Sequence, residues 1–416
     1  TDKRTIHVGN KLNNGFPIEL ENGMLTAPTV ADLDNDGLKE IIVLNSKSKL
    51  FVFRHDGTIV SGWPKQLVEK PLGYSTPAVG NLDNDSDLEI VIGNKYAFNL
   101  DGTSVLGWPN NEQFYNKPNA QATPTIADID GDGTSEVAII SIGTLWVLGQ
   151  NAGLYFSTPV HGYWSQYQNM PWGTAVAIGD VTGDGLKEVV VKDWQEYVYA
   201  FSVAEWNLLP GWPKRIANTD SRSSVVLGDL DNDGTNEIMA VSTTGFIYAW
   251  KYDAATDTFN LINGWGTRKI DATQESVSTN SPTLADIIDE KGKPGSDGKP
   301  EFIFASSKWI AEGTTGHWIG RVYVVSQNGQ IVSGWPKETG YLLDAGGYGW
   351  GGIVDSSLVV ADLEKDGIKE IFIGSRDRKV NAWHADGTVV EGFPMDLGQV
   401  IQSTPTLADL DNDGSL

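Results

Sequence analysis

The sequence predicts an all-β protein, a β-propeller of four-stranded blades, on three observations. An acidic phrase such as ADLDNDGLKEIIV, residues 31–43, recurs along the 416-residue chain. Short β-branched or aromatic runs accompany each copy, and 47 glycines with repeated Gly-Trp-Pro and Asp-Gly signals punctuate them. The first residues of the copies are Asp32, Asn81, Asp128, Asp180, Asp229, Asp286, Asp362 and Asp409. A period of about 48 residues with four short strands is typical of a propeller blade.

Each repeat contains the same elements in the same order. A Thr/Ser-Pro-Thr lead-in begins a first strand, as in TPTIAD at residues 123–128. The acidic loop follows, and then a second, apolar strand, as in EVAII at 136–140. The third strand is aromatic and β-branched, as in KLFVF at 49–53, and an Asp-Gly-Thr turn leads to a fourth strand ending in GWPK. No segment shows convincing helical periodicity.

The repeats predict a single propeller domain over residues 1–416, with repeats starting near residues 22, 73, 120, 171, 221, 279, 355 and 401. Residues 5–20 resemble the third and fourth strands of a blade, whereas residues 401–416 resemble a first strand with its acidic loop. The two termini are therefore expected to share a closing blade. This arrangement predicts eight blades, with seven as the alternative.

The composition excludes several classes of function. The formal net charge of −24 disfavours binding to nucleic acid or to an anionic membrane. The chain has no cysteine, so disulfides and thiolate zinc sites are excluded. No apolar run reaches the roughly 18 residues of a membrane span.

The acidic phrase has the side chains of a calcium loop. Oxygen donors on alternate residues of a tight turn converge on one point, and Ca²⁺ takes six to eight oxygen ligands. Without a cation, carboxylates that close would repel one another. An EF-hand is excluded because its twelfth position needs a glutamate, whereas the twelfth position from Asp32 is Val43. The acid stands at the ninth position instead, as Glu40. The alternative is a set of solvated Asx turns without metal.

These loops resemble the calcium loops of FG-GAP/VCBS-type repeats, as in the propeller of integrin α-subunits, along nearly the whole chain. The resemblance implies side-chain ligands at positions one, three, five and nine and a backbone carbonyl at position seven. The regular copies then supply Asp32, Asp34, Asp36, Leu38 and Glu40 in loop one; Asp128, Asp130, Asp132, Thr134 and Glu136 in loop three; and Asp229, Asp231, Asp233, Thr235 and Glu237 in loop five.

The remaining copies depart from this pattern. Loop two has Asn81 in first place and Ser86 in place of the glycine; loop four has Thr182 and loop seven has Glu364 in third place. Loop six carries an insertion, and loop eight lacks its closing acid. Their expected ligands are Asn81, Asp83, Asp85, Asp87 and Glu89 in loop two; Asp180, Thr182, Asp184, Leu186 and Glu188 in loop four; Asp286, Asp289, Asp297 and Glu301 in loop six; Asp362, Glu364, Asp366, Ile368 and Glu370 in loop seven; and Asp409, Asp411 and Asp413 in loop eight.

A second group of residues points to a ligand surface. In an antiparallel blade, the loop between strands two and three and the connection between blades lie at the end opposite the acidic loop. Long segments assigned to that end carry aromatic residues with polar neighbours, which suit sugar stacking or a protein hot spot. The candidate ligand-binding residues are Tyr163, Trp164, Trp172, Trp194, Trp309, Trp318, Tyr348 and Trp350. The alternative is that these aromatic residues only pack the long loops.

The sequence therefore predicts a secreted or cell-surface, calcium-stabilised propeller that binds a glycan or an extracellular protein without catalysis. Up to one Ca²⁺ ion per blade is expected, and loops of this kind work at extracellular calcium levels. The alternative is a polysaccharide lyase of the rhamnogalacturonan type on the same surface, with His161 or His317 as a base. A third reading is a spacer domain within a larger surface protein.

Overall fold

The computed structural model describes most of the chain, and its strands fall into two compact units, residues 1–176 with 406–416 and residues 177–405. The prediction of one domain over residues 1–416 stays a prediction. The described residues are 3–6, 15–24, 26–67, 75–83, 85–109, 123–141, 143–160, 174–193, 195–217, 223–266, 269–270, 275–276, 280–289, 291–312, 315–341, 348–349, 355–414 and 416, with the backbone alone at 3–6, 275–276, 312, 315 and 348–349.

The first unit contains a strand pair and three blades. The pair is β1 (Lys3–Ile6) and β2 (Ile18–Glu21). Blade one is β3 (Thr29–Ala31), β4 (Glu40–Leu44), β5 (Lys49–Phe53) and β6 (Lys65–Gln66). Blade two is β7 (Ala78–Gly80), β8 (Glu89–Ile92) and β9 (Tyr96–Phe98), and blade three is β10 (Thr125–Ala127), β11 (Glu136–Ser141), β12 (Thr144–Leu148) and β13 (Leu154–Pro159).

The second unit contains four blades. Blade four is β14 (Ala177–Gly179), β15 (Glu188–Lys192), β16 (Tyr197–Ser202), β17 (Asn207–Leu208) and β18 (Lys214–Arg215). Blade five is β19 (Val226–Gly228), β20 (Glu237–Val241), β21 (Ile247–Asp253) and β22 (Thr258–Leu261). Blade six is β23 (Glu275–Ser276), β24 (Thr283–Ala285), β25 (Glu301–Glu312), β26 (Thr315–Val325), β27 (Lys337–Glu338) and β28 (Tyr348–Gly349). Blade seven is β29 (Val359–Ala361), β30 (Glu370–Gly374), β31 (Lys379–His384) and β32 (Met395–Asp396).

The fold is therefore an all-β β-propeller of antiparallel, mostly four-stranded blades, as predicted. The described residues form seven blades. The main prediction of eight blades is therefore wrong, and the alternative prediction of seven agrees with the structure. The eighth sheet is only the pair β1–β2, because residues 401–408 form no strand with it. No helix occurs among the described residues, and none there is long and apolar enough to cross a membrane.

The second strand of each blade is buried on both faces. In β4 every residue is buried, and its side chains alternate between two clusters. Ile42 and Leu44 pack with Ile90 of blade two, whereas Ile41 and Val43 pack on the opposite side. An uninterrupted run of apolar residues is what a strand between two neighbouring layers requires. This burial explains why the sequences of the second strands are continuous apolar runs.

The tryptophan of the Gly-Trp motif joins several blades to the next blade. The indole Nε1 of Trp63 donates to the Leu100 carbonyl in the turn of blade two, at 2.6 Å. Trp265 and Trp335 bond in the same way to the turns of the following blades, at 2.9 and 2.8 Å. These tryptophans are packing residues, as the repeat predicts.

The fourth strand differs from its prediction. In blade one the chain bridges the third strand at Ile59 and leaves it at the motif Gly62–Trp63–cis-Pro64. It pairs again only in β6, which begins at Lys65. The motif therefore precedes the regular pairing instead of ending it, because the tryptophan turns toward the next blade.

Candidate metal centres and ligand-binding surface

Loops one to seven share one hydrogen bond that shapes the acidic turn. The buried glutamate at position nine accepts the backbone N–H of position two through Oε2, at 3.1 Å for Glu40 and Leu33. The other six distances run from 2.6 to 3.0 Å and involve Glu89, Glu136, Glu188, Glu237, Glu301 and Glu370. Each glutamate lies at the start of a second strand, so the strand pair holds its carboxylate beneath the loop.

The carboxylate at position one organises the top of the loop. In loop one, Asp32 accepts the N–H groups of Asp36 and Gly37 through its two oxygens, at 3.1 and 2.9 Å. Asp36 in turn accepts the N–H of Leu38 at 2.8 Å. The φ of +90° at Gly37 needs a glycine. These bonds hold the alternate carboxylates on one side of the turn.

The acidic side chains converge as the spacing predicts. One ligand atom from each member lies within 4.8 Å of the others in several clusters of described residues, which include Asp32, Asp34 and Asp36; Asp83, Asp85 and Glu89; Asp128, Asp130 and Glu136; Asp229, Asp231 and Glu237; and Glu364, Glu370 and His384. In the last of these, Nδ1 of His384 lies 3.2 Å from Oε1 of Glu370. Sequence reasoning missed this histidine because it comes from the third strand, outside the loop.

Some of the acidic loops contain a buried side-chain oxygen that has no hydrogen-bond partner. Three acidic loops hold one each: Asp34 Oδ1, Thr182 Oγ1 and Asp409 Oδ1. Glu237 Oε1 of loop five also has no hydrogen bond, but it lies 3.6 Å from Nζ of Lys251. A buried acceptor without a donor costs free energy unless another group compensates it. The residues therefore fit a hard cation that takes oxygen ligands.

Loop six keeps the geometry in spite of its insertion. The N–H of Gly298 donates to Asp286 at 2.7 Å, which is the bond between positions six and one of the regular loops. Asp297 accepts from Lys299 as a position-five residue does. Asp289 instead accepts the N–H groups of Lys291 and Lys293, both at 2.9 Å, and so caps the inserted turn. The insertion therefore separates Asp289 from Asp286, Asp297 and Glu301, the other three predicted ligands of loop six.

The other predicted ligands keep their places in the loops. Asp180 and Asp362 accept the position-six N–H, at 2.8 and 2.9 Å. Asp413 donates to Asp411 in loop eight, at 3.3 Å. In loop two, the side chain of Asn81 donates to the Asp85 carbonyl. In five loops the residue at position seven donates its N–H to the aspartate at position five. These pairs are Asp87 with Asp85, Thr134 with Asp132, Leu186 with Asp184, Thr235 with Asp233, and Ile368 with Asp366.

Burial raises the pKa of the position-nine glutamates. The pKa reaches about 7 for Glu89, Glu188, Glu237 and Glu301, mainly through desolvation, with a further rise from the aspartates of each loop. Their backbone hydrogen bonds act in the opposite direction. Burial and the loop aspartates also raise the pKa of Glu40 and Glu136. Burial raises the pKa of Glu370, with a smaller rise from Glu364, while His384 lowers it. Each loop therefore concentrates negative charge that a bound cation would neutralise.

A pH dependence follows from these raised values. Between about pH 4.5 and 7, a folded chain without metal binds more protons than the unfolded chain, so the free energy of unfolding falls as pH rises. We expect the protein in chelator to be less stable near pH 7.5 than near pH 5.5 in urea titrations. With calcium present this decline should shrink or reverse, because a bound cation favours the ionised carboxylates. A chelated protein whose stability rises over this interval would contradict the expectation.

The predicted ligand-binding residues are only partly described. Tyr163, Trp164, Trp172, Trp194 and Trp350, together with His161, lie outside the described residues, and Tyr348 is described by its backbone alone. Trp309 and Trp318 were expected in a loop, but they lie on β25 and β26, directly opposite each other. They occur at the end of blade six opposite its acidic loop, which precedes β25.

These two strands form a sheet that sequence reasoning missed. β25 and β26 pair from Phe302–Val325 to Glu312–Thr315, well past the length of other second and third strands. β23 adds to β25 at Ser307–Lys308, and β28 adds in parallel to β26 at Gly316–His317. We call residues 306–312 and 315–320 with β23 and β28 the blade-six extension. Neither ASSKWIAE nor TGHWIGRV shows the strict alternation of apolar and polar residues that would predict such a hairpin.

The blade-six extension holds an exposed indole in a fixed position. Trp309 is 38% exposed and meets Trp318 edge to face, with centroids 5.6 Å apart. A Cβ on Gly316 would lie 2.4 Å from the Trp309 ring, so this ring packs over the glycine. On the other face, His317 is buried and stacks on Tyr341 with centroids 3.6 Å apart, and Tyr341 is 42% exposed. The extension therefore presents aromatic surface, while the histidine lies beneath it.

Comparisons with known proteins agree with this fold. A family model of the FG-GAP-like repeat matches residues 22–92 and 128–191. The chain is thus a β-propeller protein. The repeats within these two segments are similar to the FG-GAP-like repeat, which is consistent with the predicted resemblance to the integrin α propeller. A search of curated proteins found no match.

Solved structures show the same architecture at low identity. The computationally designed Ika8 protein is 12% identical with a TM-score of 0.55, over 94% of this chain and 92% of that chain. A europium-containing methanol dehydrogenase is 11% identical with a TM-score of 0.54, over 96% and 81%. Identities this low support the fold alone.

Proposed function

We propose that this protein is a calcium-stabilised β-propeller that binds a glycan through the blade-six extension. The observation that supports the calcium most is the set of buried oxygens without a hydrogen-bond partner in three acidic loops, Asp34 Oδ1, Thr182 Oγ1 and Asp409 Oδ1. An extracellular protein is the alternative ligand. The calcium ions serve the scaffold, and the exposed indole serves recognition.

The loop residues would hold calcium at positions one, three, five and nine. When bound, Ca²⁺ supplies positive charge to a group of carboxylates that otherwise repel one another. The position-nine glutamate would join the ion to the second strand, and the position-one aspartate already joins the loop backbone together. Each ion would therefore pin the turn between the first two strands of its blade.

Neighbouring loops are linked, so their ions would act together. The N–H of Leu88 in loop two donates to the Leu33 carbonyl in loop one, at 2.9 Å. In the second unit, Asn236 of loop five donates to the Asp180 carbonyl of loop four through both its backbone and its side chain, at 3.2 and 2.8 Å. Ordering one loop by calcium is then expected to favour the order of the next.

We also propose that the two terminal segments form a partial closing blade beside blade one. The hydroxyl of Thr406 donates to the Pro28 carbonyl at 2.8 Å, as the hydroxyl of Thr29 donates to the Pro77 carbonyl of blade two at 2.6 Å. Phe16, Leu20 and Leu410 pack together on the side of β4 that faces away from blade two. The hydrogen bond from Thr406 to blade one thus matches the hydrogen bond from blade one to blade two. The apolar contacts of both terminal segments lie on the same side of blade one.

A location outside the cytosol follows from the calcium proposal. Extracellular calcium modules work at roughly 0.1–1 mM, well above the calcium of the cytosol. Acidic loops of this openness suit that range, because most of their carboxylates are exposed or half-buried. We therefore propose that the protein is secreted or displayed at a cell surface, alone or as part of a larger surface protein.

A glycan suits the blade-six extension because a flat aromatic ring stacks on the apolar face of a sugar. Trp309 is held by Trp318 at its edge and by Gly316 beneath it, so binding would cost little side-chain entropy. The exposed ring of Tyr341 offers a second aromatic contact on the other face of the same strands. An aromatic surface on a rigid sheet supports recognition more than a mobile loop would.

A substitution on the extension tests this proposal. Trp309→Ala should weaken glycan binding by about tenfold or more, since an aromatic anchor of an interface is worth roughly 2 kcal/mol. Binding would be measured on a glycan array and then by titration calorimetry with the best ligand. Trp206→Ala is the matched control, because Trp206 is a half-buried tryptophan in the strand-three to strand-four turn of blade four.

The outcomes are separate. Equal loss in both variants would indicate a general loss of structure, and unchanged binding by Trp309→Ala would reject the extension as the glycan site. If the array shows no glycan bound by the folded, calcium-loaded protein, the glycan proposal fails and the protein alternative takes its place.

A further inference from the structure

Loop five contains a positive charge of its own. Nζ of Lys251 lies 2.5 Å from Oδ2 of Asp231 and 2.7 Å from Oδ2 of Asp233. The same nitrogen is 3.6 Å from Oε1 of Glu237, whose side chain is fully buried. These three residues occupy positions three, five and nine of the loop. The ammonium therefore lies among the carboxylates that a metal ion would need.

The position of this nitrogen is incompatible with calcium in the same place. Calcium binds oxygens at about 2.3–2.6 Å, so an ion on the oxygens of Asp231 and Asp233 would overlap Nζ of Lys251. Two positive charges there would also repel each other. Loop five has the full set of acids at the regular spacing, and yet its residues as arranged do not fit a metal ion.

The lysine comes from a defined place in the blade. Trp250 pairs with Ile238, so Lys251 faces Glu237 across the second and third strands. The equivalent residue of blade four is Ser202, which pairs with Glu188 and carries no charge. In blade one the equivalent residue is Arg54, which is exposed. Among the described residues, no ion pair joins Arg54 to the acids of loop one.

We propose that the ammonium of Lys251, and not a calcium ion, is the cation of loop five. This proposal rests on the calcium proposal for the other loops and gives one loop a permanent internal cation. Blade five would then keep its first turn ordered when calcium is removed, while the calcium-dependent loops lose their order. The protein would bind one calcium ion fewer than its regular acidic loops suggest.

Counting bound calcium in three variants tests the proposal. Calcium chloride is titrated into metal-stripped protein, and the ions per chain are counted by equilibrium dialysis and native mass spectrometry. Lys251→Met should bind one ion more than the wild type, because the four acids of loop five then surround a vacant centre. Asp231→Asn should leave the wild-type number unchanged, whereas Asp34→Asn in loop one should lower it by one.

A second readout uses no bound metal. In EGTA, Lys251→Met should melt at a lower temperature than the wild type, since Asp231, Asp233 and Glu237 lose the ammonium that pairs with them, and added calcium should reverse the loss. Arg54→Met is the matched control: it should lower the melting temperature in EGTA less than Lys251→Met does, because the Arg54 charge acts on Glu40 without an ion pair, and it should not change the number of ions. Equal melting of Lys251→Met and wild type in EGTA would show that the lysine does not stabilise the loop.

The outcomes separate this inference from the calcium proposal itself. A loss of one ion in Asp231→Asn, or an unchanged number in Lys251→Met, overturns the inference and leaves the other loops as calcium sites. If the folded wild type and Asp34→Asn both bind no calcium, the calcium proposal fails, and the melts in EGTA still decide whether Lys251 is the cation of loop five.

Discussion

Chelation of calcium by EGTA is expected to lower the melting temperature of the protein by more than any single substitution. A ligand at 100 times its dissociation constant stabilises the folded state by about 2.7 kcal/mol per site. Several loops that converge their carboxylates as loop one does would add such contributions. The measurement is differential scanning calorimetry of the same sample with about 5 mM calcium or with EGTA.

The control for this experiment is magnesium. Mg²⁺ demands near-octahedral geometry and loses its water reluctantly, so an equal concentration should restore only a small part of the lost stability. Full recovery with magnesium would indicate simple charge screening of the acidic chain. Identical melting in calcium and EGTA would exclude stabilising calcium sites.

The substitution Gly264→Ala should be among the most destabilising changes in the chain. Gly264 belongs to the Gly-Trp motif of blade five and has a φ of +94°, and a Cβ there would lie 2.3 Å from the Asn328 carbonyl oxygen in the turn of blade six. The positive φ and the collision act together, so we expect a loss of roughly 3 kcal/mol in the free energy of unfolding. Chemical denaturation with tryptophan fluorescence measures this loss.

Gly245→Ala separates the two causes. Gly245 lies in the turn between β20 and β21 of the same blade, its φ is +84°, and nothing lies within 4 Å of the Cβ that alanine would add. This variant should lose only about 1 kcal/mol, the cost of the backbone conformation. If both variants lose the same amount, the close approach between blades five and six does not contribute.

Much of the repeat can be predicted from the sequence because local chemistry determines it. The third strand of blade one has the bounds that were predicted, Lys49–Phe53, since aromatic and β-branched residues alternate there without interruption. The acidic loops can be predicted for a similar reason, because each is a short turn that closes on its own residues. Even in loop six the order Asp286, Asp297 and Glu301 survives.

The features that the sequence concealed depend on residues far apart in the chain. Lys251 reaches loop five only because the third strand returns beside Glu237, and no spacing within the loop reveals it. The blade-six extension needs β23 and β28, which come from connections before and after the hairpin. The number of blades was overestimated because a repeat of sequence at the C-terminus does not guarantee a sheet.

The central claim is that the acidic loops bind calcium, and direct calcium titration tests it most directly. Calcium is titrated into metal-stripped, folded protein in a calorimeter, and Glu40→Gln is titrated in parallel. The account predicts saturable binding of several ions per chain below about 10 mM calcium, with the Glu40→Gln variant binding one ion fewer. The absence of saturable binding by the folded wild type over this range would contradict it.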